Sequence, residues 1–310
     1  MRDAPSAPPA PAAPLIFTHR SGSWNLRERA RVVGILNLTP DSFYDGGRFN
    51  DPGRALERAR ALIEEGADAL DLGAQSTRPG GNPAVGAAEE WDRLRGVLPG
   101  VIALGIPVSV DTYRADVARR ALDMGAAMVN DVSGLRAEPE IARIAAETDA
   151  GLVLMHAEGA PDRMHAPVDY EDVAGAVQSF LERAMRAAIA AGVREERIAL
   201  DPGIGFSKRA PQSLEALRGL PRLTSLGRPL YIGVSRKSFL AHVTGSPVEE
   251  RLAAGLGATV AALSLGATIF RTHDVRETVD AIRTAEAILN PAWSPASRAN
   301  APRVAEKAGA

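Results

Sequence analysis

The residues best suited to chemistry stand where short apolar runs stop. "RVVGILN" ends at Asn37, "IPVSVD" at Asp111, and "AAMVND" at Asn130 and Asp131. "GLVLMH" ends at His156 and "RIALD" at Asp201. "RPLYIGVS" ends at Ser235 and runs into Arg236 and Lys237, and "ATIFRTHD" carries Arg271 and His273. Asp111, Asn130 and Asp201 offer acceptors or amides. Lys237, Arg271 and His273 are cationic or can become so. Gathered at one mouth, they would suit a ligand with a flat, donor-rich edge and an anionic end. A carboxylate in a pocket needs a partner, and an aminopyrimidinone edge offers two adjacent N–H donors. A polar residue can also merely cap a strand; the repetition at nearly every run is what points to a site.

Lys237 is conspicuous. Of 36 basic residues only Lys208, Lys237 and Lys307 are lysines. A guanidinium is a broad planar fork, whereas an ammonium is a compact point charge able to enter a narrow gap. Lys237 and its neighbour Arg236 are therefore not interchangeable: Lys237 is expected to face substrate and Arg236 to brace the rim or the leaving group. Asp131 reads as a cap beside Asn130. His156 reads either as a satisfied inner-rim histidine or as a functional one. His19, His165 and His242 read as surface or loop residues.

Composition removes several function classes. The net charge of -2 gives no electrostatic case for nucleic acid or an anionic membrane. The chain has no Cys, so it has neither disulfides nor thiolate metal sites. Its five His show no zinc spacing such as H-E-x-x-H. There is no apolar run long enough to span a bilayer and no G-x-S-x-G elbow. The opening "MRDAPSAPPAPAAP" lacks a signal-peptide core and reads as a disordered or polyproline-like tail over residues 1–14. Residues 291–310 read as a loose tail. A single domain over 15–290 and a cytoplasmic location are expected.

The elements that position these residues repeat. Amphipathic stretches stop at Gly66, Gly105, Gly125, Gly192, Gly227 and Gly266, and an apolar run follows each. A Gly just past a helix is a left-handed cap, and unalternated apolar runs suit strands buried on both faces. Eight such runs in about 260 residues predict a (β/α)8 barrel of TIM type, with its site at the C-terminal mouth and phosphate near the last two strands. A doubly wound open sheet is the alternative. It would often carry a Gly-rich phosphate turn after its first strand, where this chain has "NLTPDSFYDGG". Long loops after the first two strands, carrying Phe43, Asp45, Thr77 and Arg78, read as lids. "LAAGLGATVAALSLGA" (252–267) has no charge around its circumference, where a barrel helix normally shows a polar stripe. Either the C-terminal segment covers it or it forms a homodimer interface.

The ordered set "GILNLTPDSFYDGG", "DLGAQSTRPGG", "SVDT", "NDVSG", "LMH", "DPGIGFSK", "VSRKS" and "RTHDV" resembles the dihydropteroate synthase family over residues 30–290. The resemblance implies a (β/α)8 barrel and a reaction joining 6-hydroxymethyl-7,8-dihydropterin diphosphate to p-aminobenzoate. The products would be 7,8-dihydropteroate and pyrophosphate, on the route to folate. It implies that Asp111, Asn130, Met155, Asp201, Gly205, Lys237 and Arg271 surround the pterin. Thr77, Arg78, Pro79, Phe206 and Ser235 would shape the p-aminobenzoate pocket. Asn37, Arg271 and His273 would hold the diphosphate, with Asn37 also at a Mg²⁺ ion, and Phe43 and Asp45 would close over the site. Sulfonamides would compete with p-aminobenzoate, and homodimers are expected.

The chain departs from the family's usual wording at Ala74 and Gln75, where Gly and Glu are common, and in "AEG" after His156. The competing functions are a pterin-binding methyltransferase domain, a catalytically silent pterin-binding relative, and a Schiff-base aldolase using Lys237. The first needs neither a diphosphate site nor a lid. The last would need a lysine in an apolar pocket, whereas the nearby acceptors suit a charged one.

Overall fold

The computed structural model describes residues 14–38, 52–75, 86–159 and 161–290. Phe43, Asp45, Thr77, Arg78, Pro79, both lid loops, residues 1–13 of the expected N-terminal tail and the 291–310 tail lie outside the described residues. The chain opens with β1 (Ile16–His19) and β2 (Gly22–Asn25), followed by β3 (Arg31–Asn37) and α1 (Pro52–Glu64). Next come β4 (Ala69–Gly73), α2 (Ala87–Arg95), α3 (Leu98–Ile102), β5 (Val108–Asp111) and α4 (Ala115–Asp123). Then follow β6 (Met128–Asp131), α5 (Glu140–Thr148), β7 (Gly151–Met155), α6 (Val173–Ala190), β8 (Ile198–Asp201), α7 (Ala210–Arg218) and α8 (Leu220–Thr224). The last elements are β9 (Tyr231–Gly233), α9 (Ser238–Thr244), α10 (Leu252–Ser264), β10 (Ile269–Thr272) and α11 (Val275–Leu289).

Strands β3 to β10 form one eight-stranded sheet in the order β8-β7-β6-β5-β4-β3-β10-β9. Every pairing within it is parallel. The sheet closes on itself: Leu200 of β8 bridges Leu230 in parallel, and its N–H donates to Pro229 O (2.9 Å). This is the expected (β/α)8 barrel. All six glycines expected to end helices have positive φ. At Gly66 the chain makes the paired bonds of a Schellman cap, Gly66 N–H to Ile63 O and Ala67 N–H to Leu62 O.

The pleat divides the strand residues between two environments. Val32, Leu36, Leu70, Leu72, Val108, Val110, Leu152, Leu154 and Phe270 face outward and pack under the helices in the main core. Val33, Ala69, Met128, Val153, Ala199, Tyr231 and Ile269 face inward and form a second core low in the barrel. The β1–β2 hairpin, which periodicity does not single out, closes that end. Its Phe17 pairs with Trp24 across the strands, and both belong to the inner core. His19 lies there too, 3% exposed, which corrects its expected surface position. With the bottom plugged and lined by apolar groups, the interior is polar only toward the mouth.

Candidate active site

Two residues above the inner apolar layer, the same inward face carries Asp71, Ser109, Asn130, Asp201 and Arg271. The parity of the strands puts them there, since each stands two positions after an inward-facing core residue or in register with one that does. One pleat higher on β3, β4 and β5, Asn37, Gly73 and Asp111 reach the rim, while Met155 stands in register with Asp201. Gly73 keeps the centre open, because a Cβ there would come 3.6 Å from Asn37 Oδ1 and 3.7 Å from Asp111 Oδ2.

Arg271 crosses the barrel from β10. Its Nε donates to Asp71 Oδ2 (2.5 Å) and its Nη2 to Asp111 Oδ2 (2.9 Å). A cation expected to meet the ligand's anionic end thus lies against two of the carboxyl groups. A guanidinium on an inward-facing position is long enough to reach the carboxylates beyond β3, and buried carboxylates require such a partner. Burial alone would lower the Arg271 guanidinium, but Asp71 and Asp111 outweigh it and leave it raised. Asp111 is pushed up to about 7, by burial first and against the pull of Arg271.

Asp71 is not singled out by the sequence, yet it organises the floor. It is fully buried. Besides Arg271 it accepts from Asn130 Nδ2 (3.1 Å). A carboxylate can accept but not donate, so this bond turns the amide and leaves Asn130 Oδ1 facing the opposite way. Asn130 Oδ1 and Asp71 Oδ1 are buried without a hydrogen-bond partner among the described residues. Asp201 accepts from Gly203 N–H (2.7 Å) and is raised by burial. The floor therefore presents acceptors in search of donors. The signal for Asp71 is a lone acid inside the apolar run "ALDLG", at an even spacing from its end.

Lys237 stands over this floor. Its Nζ donates to Ile204 O and lies 4.2 Å from the Phe206 ring centroid. Burial lowers it to about 8, and the Asp201 carboxylate opposes the shift. Gly205, with φ +80°, leaves room for it, since a Cβ there would meet Lys237 Cδ at 3.2 Å. Arg236 turns away, as expected of a rim brace: its guanidinium pairs with Asp274. Its carbonyl accepts from Arg251 Nη1 (3.0 Å). Ser235 Oγ meets His273 Nδ1 (3.0 Å), so the structure brings together two residues expected at different substrates.

Met155, Met164, Val132, Ala157 and Phe206 form an apolar cluster on the far wall. His165 stacks on Phe206, with ring centroids 4.9 Å apart, so it belongs to the wall rather than to the surface. His242, at the end of α9, is exposed as expected. Asp131 is a cap: its carboxylate accepts from Ser133 N–H (2.8 Å), Ser133 Oγ (2.7 Å) and Leu135 N–H (2.7 Å). His156 sits at the inner rim, fully buried and bonded at Nδ1 to Lys208 Nζ (2.8 Å), while its Nε2 has no hydrogen-bond partner among the described residues; burial and then Lys208 lower it to about 2. Gln75 takes a neutral place beside Arg114 and Tyr113, accepting from Arg114 Nη1 (3.1 Å) and donating to Tyr113 Oη (3.0 Å).

Among the described residues no three His, Asp or Glu converge as a metal cage. Asn37 offers a single hard oxygen at the rim. That fits an ion carried mainly by a ligand's phosphates and by water, which is how Mg²⁺ is usually held.

A family model described as "Pterin binding enzyme" matches residues 33–273. A dihydropteroate synthase of Synechocystis is 43% identical over 283 residues, covering 91% of this chain and 95% of the relative. The Xanthomonas albilineans dihydropteroate synthase, solved with 4-aminobenzoic acid, superposes with a TM-score of 0.80 at 40% identity, covering 86% of this chain and 95% of that one. The Yersinia pestis enzyme, solved in a complex with a sulfonamide drug, gives a TM-score of 0.81 at 36% identity, with coverages of 89% and 99%.

Proposed function

The chain belongs to the dihydropteroate synthase family, and on that premise we propose that it condenses 6-hydroxymethyl-7,8-dihydropterin diphosphate with p-aminobenzoate, releasing pyrophosphate. The observation that carries this reading is the floor of buried, unpaired acceptors beneath two cations. The aminopyrimidinone edge of the pterin supplies the donor that Asn130 Oδ1 lacks and further donors to the carboxyl groups of Asp111 and Asp201. Arg271, held flat by its two carboxylates, and Met155 pack near the ring.

The diphosphate lies toward Asn37, Arg271 and His273. Asn37 would help hold a Mg²⁺ ion there, which would supply charge neutralisation for the leaving group. Cleavage of the carbon–oxygen bond leaves a methylene cation conjugated with the electron-rich pterin. Asp111 and Asp201 beneath the ring stabilise that positive charge, and Lys237 and His273 favour departure of the anion. The aniline nitrogen then attacks from the side walled by Phe206 and Ser235; the family resemblance adds Thr77, Arg78 and Pro79 as p-aminobenzoate contacts. No protein nucleophile is required. Lys237 acts as a positioned donor, because its Nζ is already engaged by Ile204 O and the Phe206 face.

Exposed apolar residues on the last two helices support a homodimer. Leu252 on α10, Val248 ahead of it, and Ile288 and Leu289 at the end of α11 are all exposed, Ile288 by 77%. A cytoplasmic location fits a chain in which no described helix is long and apolar enough to cross a membrane. The deciding experiment mixes protein, pterin diphosphate, p-aminobenzoate and Mg²⁺ and follows pyrophosphate. Release that needs both substrates, and that a sulfonamide suppresses in competition with p-aminobenzoate, is expected. Absence of release by folded protein would overturn the reading.

A further inference from the structure

Lys208 takes no part in the chemistry described above, yet it is one of three lysines in the chain and is only 6% exposed. A buried ammonium persists only where its donors are met. Here all three are: Nζ reaches His156 Nδ1 (2.8 Å), Gly203 O (3.1 Å) and Phe206 O (3.1 Å). Burial lowers it to about 7, and the Asp201 and Glu158 carboxylates oppose that shift. Three acceptors converging on one point suit a tetrahedral ammonium and not a planar guanidinium, which accounts for a second lysine in an arginine-rich chain.

Two of those acceptors belong to the tight turn after β8. Gly203 has φ +64°, and a Cβ there would stand 1.9 Å from His156 O, so the turn is pressed against the end of β7. Phe206 N–H donates back to Gly203 O (3.0 Å). Ser207 ties the same turn to the next loop, with its Oγ 3.0 Å from both Glu158 O and Met164 O. The opposite side of the turn is the seat of Lys237, formed by Ile204 O and the Phe206 ring. One turn is thus gripped from below by Lys208 and occupied from above by Lys237.

We propose that Lys208 is a positioning residue: by holding the Gly203–Phe206 turn against His156 it sets the Phe206 wall and the seat of Lys237, and so governs the p-aminobenzoate side of the pocket. This rests on the synthase reading above. The test compares wild type, Lys208→Met, Lys208→Arg, His156→Leu and Phe206→Leu, alone and with Lys208→Met. Lys208→Met is expected to raise the KM for p-aminobenzoate about tenfold while moving that for the pterin diphosphate less than about threefold. Lys208→Arg should not rescue it, and His156→Leu should shift the same KM in the same direction. In the Phe206→Leu background the Lys208→Met effect should shrink to within about twofold, because the turn carries it. Hydrogen exchange at residues 203–207 should quicken in Lys208→Met.

Equal effects on both substrates, full additivity with Phe206→Leu, or unchanged exchange would overturn the proposal. If Lys208→Met does not fold, the KM split in His156→Leu decides. Wild type that makes no product would refute the synthase reading alone, and exchange at the turn would still report on Lys208.

Discussion

Replacing Asp71 by Asn tests the logic of the pocket floor without changing its shape. The carboxylate accepts from Arg271 Nε (2.5 Å) and Asn130 Nδ2 (3.1 Å) on one oxygen. In the Asp71→Asn variant, Arg271 keeps its bond to Asp111 (2.9 Å), so the guanidinium is not left without a counterion. The loss is then one buried charge-assisted hydrogen bond, about 1.5–3 kcal/mol of stability. The effect on binding has a different origin. With an amide in place of the carboxylate, the Asn130 side chain is no longer obliged to point its NH₂ downward, because the substituted amide can itself donate to Asn130 Oδ1. The acceptor offered to the pterin is then lost in part of the population. Losing one hydrogen bond to a buried donor is worth about 1.4 kcal/mol, or tenfold in affinity. Loosening of Arg271 adds to it, so a ten- to hundredfold rise in the Kd for the pterin diphosphate is expected, about 1.4–2.8 kcal/mol. Calorimetric titration measures it, with urea unfolding to separate stability from binding. A variant that binds the pterin within twofold of wild type would refute the claim that Asp71 orients the floor.

Lys237→Arg should lower turnover at least about tenfold despite keeping the charge, since Ile204 O, the Phe206 face and Gly205 leave a seat shaped for an ammonium; wild-type kcat would show the seat tolerates a fork. His19 is held at about 4, by burial and then by Arg197 and Arg31, against 6.5 when unfolded. The unfolded chain therefore takes a proton that the native hairpin refuses, so stability falls as pH drops below 6.5 and the fall ends near 4. Between pH 7 and 5 wild type should lose about 2 kcal/mol more than His19→Asn, whose amide can still accept from Ser21 N–H; equal losses in urea titrations would show that His19 is freely hydrated. Light scattering at micromolar protein should give twice the chain mass, and Ile288→Glu with Leu289→Glu should reduce it; a wild-type monomer would remove the dimer interface.

Much of the architecture is legible because it is written locally. Gly at each helix end and an unalternated apolar run after it mark the repeat, and both signals need only a few residues. The runs read as unalternated because the lower inward positions of β4, β8 and β9 hold Ala69, Ala199 and Tyr231, so that one acid each in β4 and β8 is all the polarity their inward faces show. For the same reason Asp71 is hard to see: it lies inside a run and not at its end. The hairpin is invisible to periodicity because its four-residue strands carry only one or two inward side chains each. His19 and His165 read as surface residues because nothing local says that a plug or a wall will cover them.

The sequence by itself determined the eightfold repeat, the strand-end residues Asn37, Asp111, Asn130, Asp201, Lys237 and Arg271, and the family they resemble. Only the tertiary structure decided who pairs with whom. Arg271 meets Asp71 and Asp111 from 200 and 160 residues away. Lys208 and Lys237 meet on opposite sides of one turn. Closing the sheet brings first and last strands together, and it excludes water from the interior. Each buried charge must then find its partner across the barrel, and no local pattern in the chain records which partner that is.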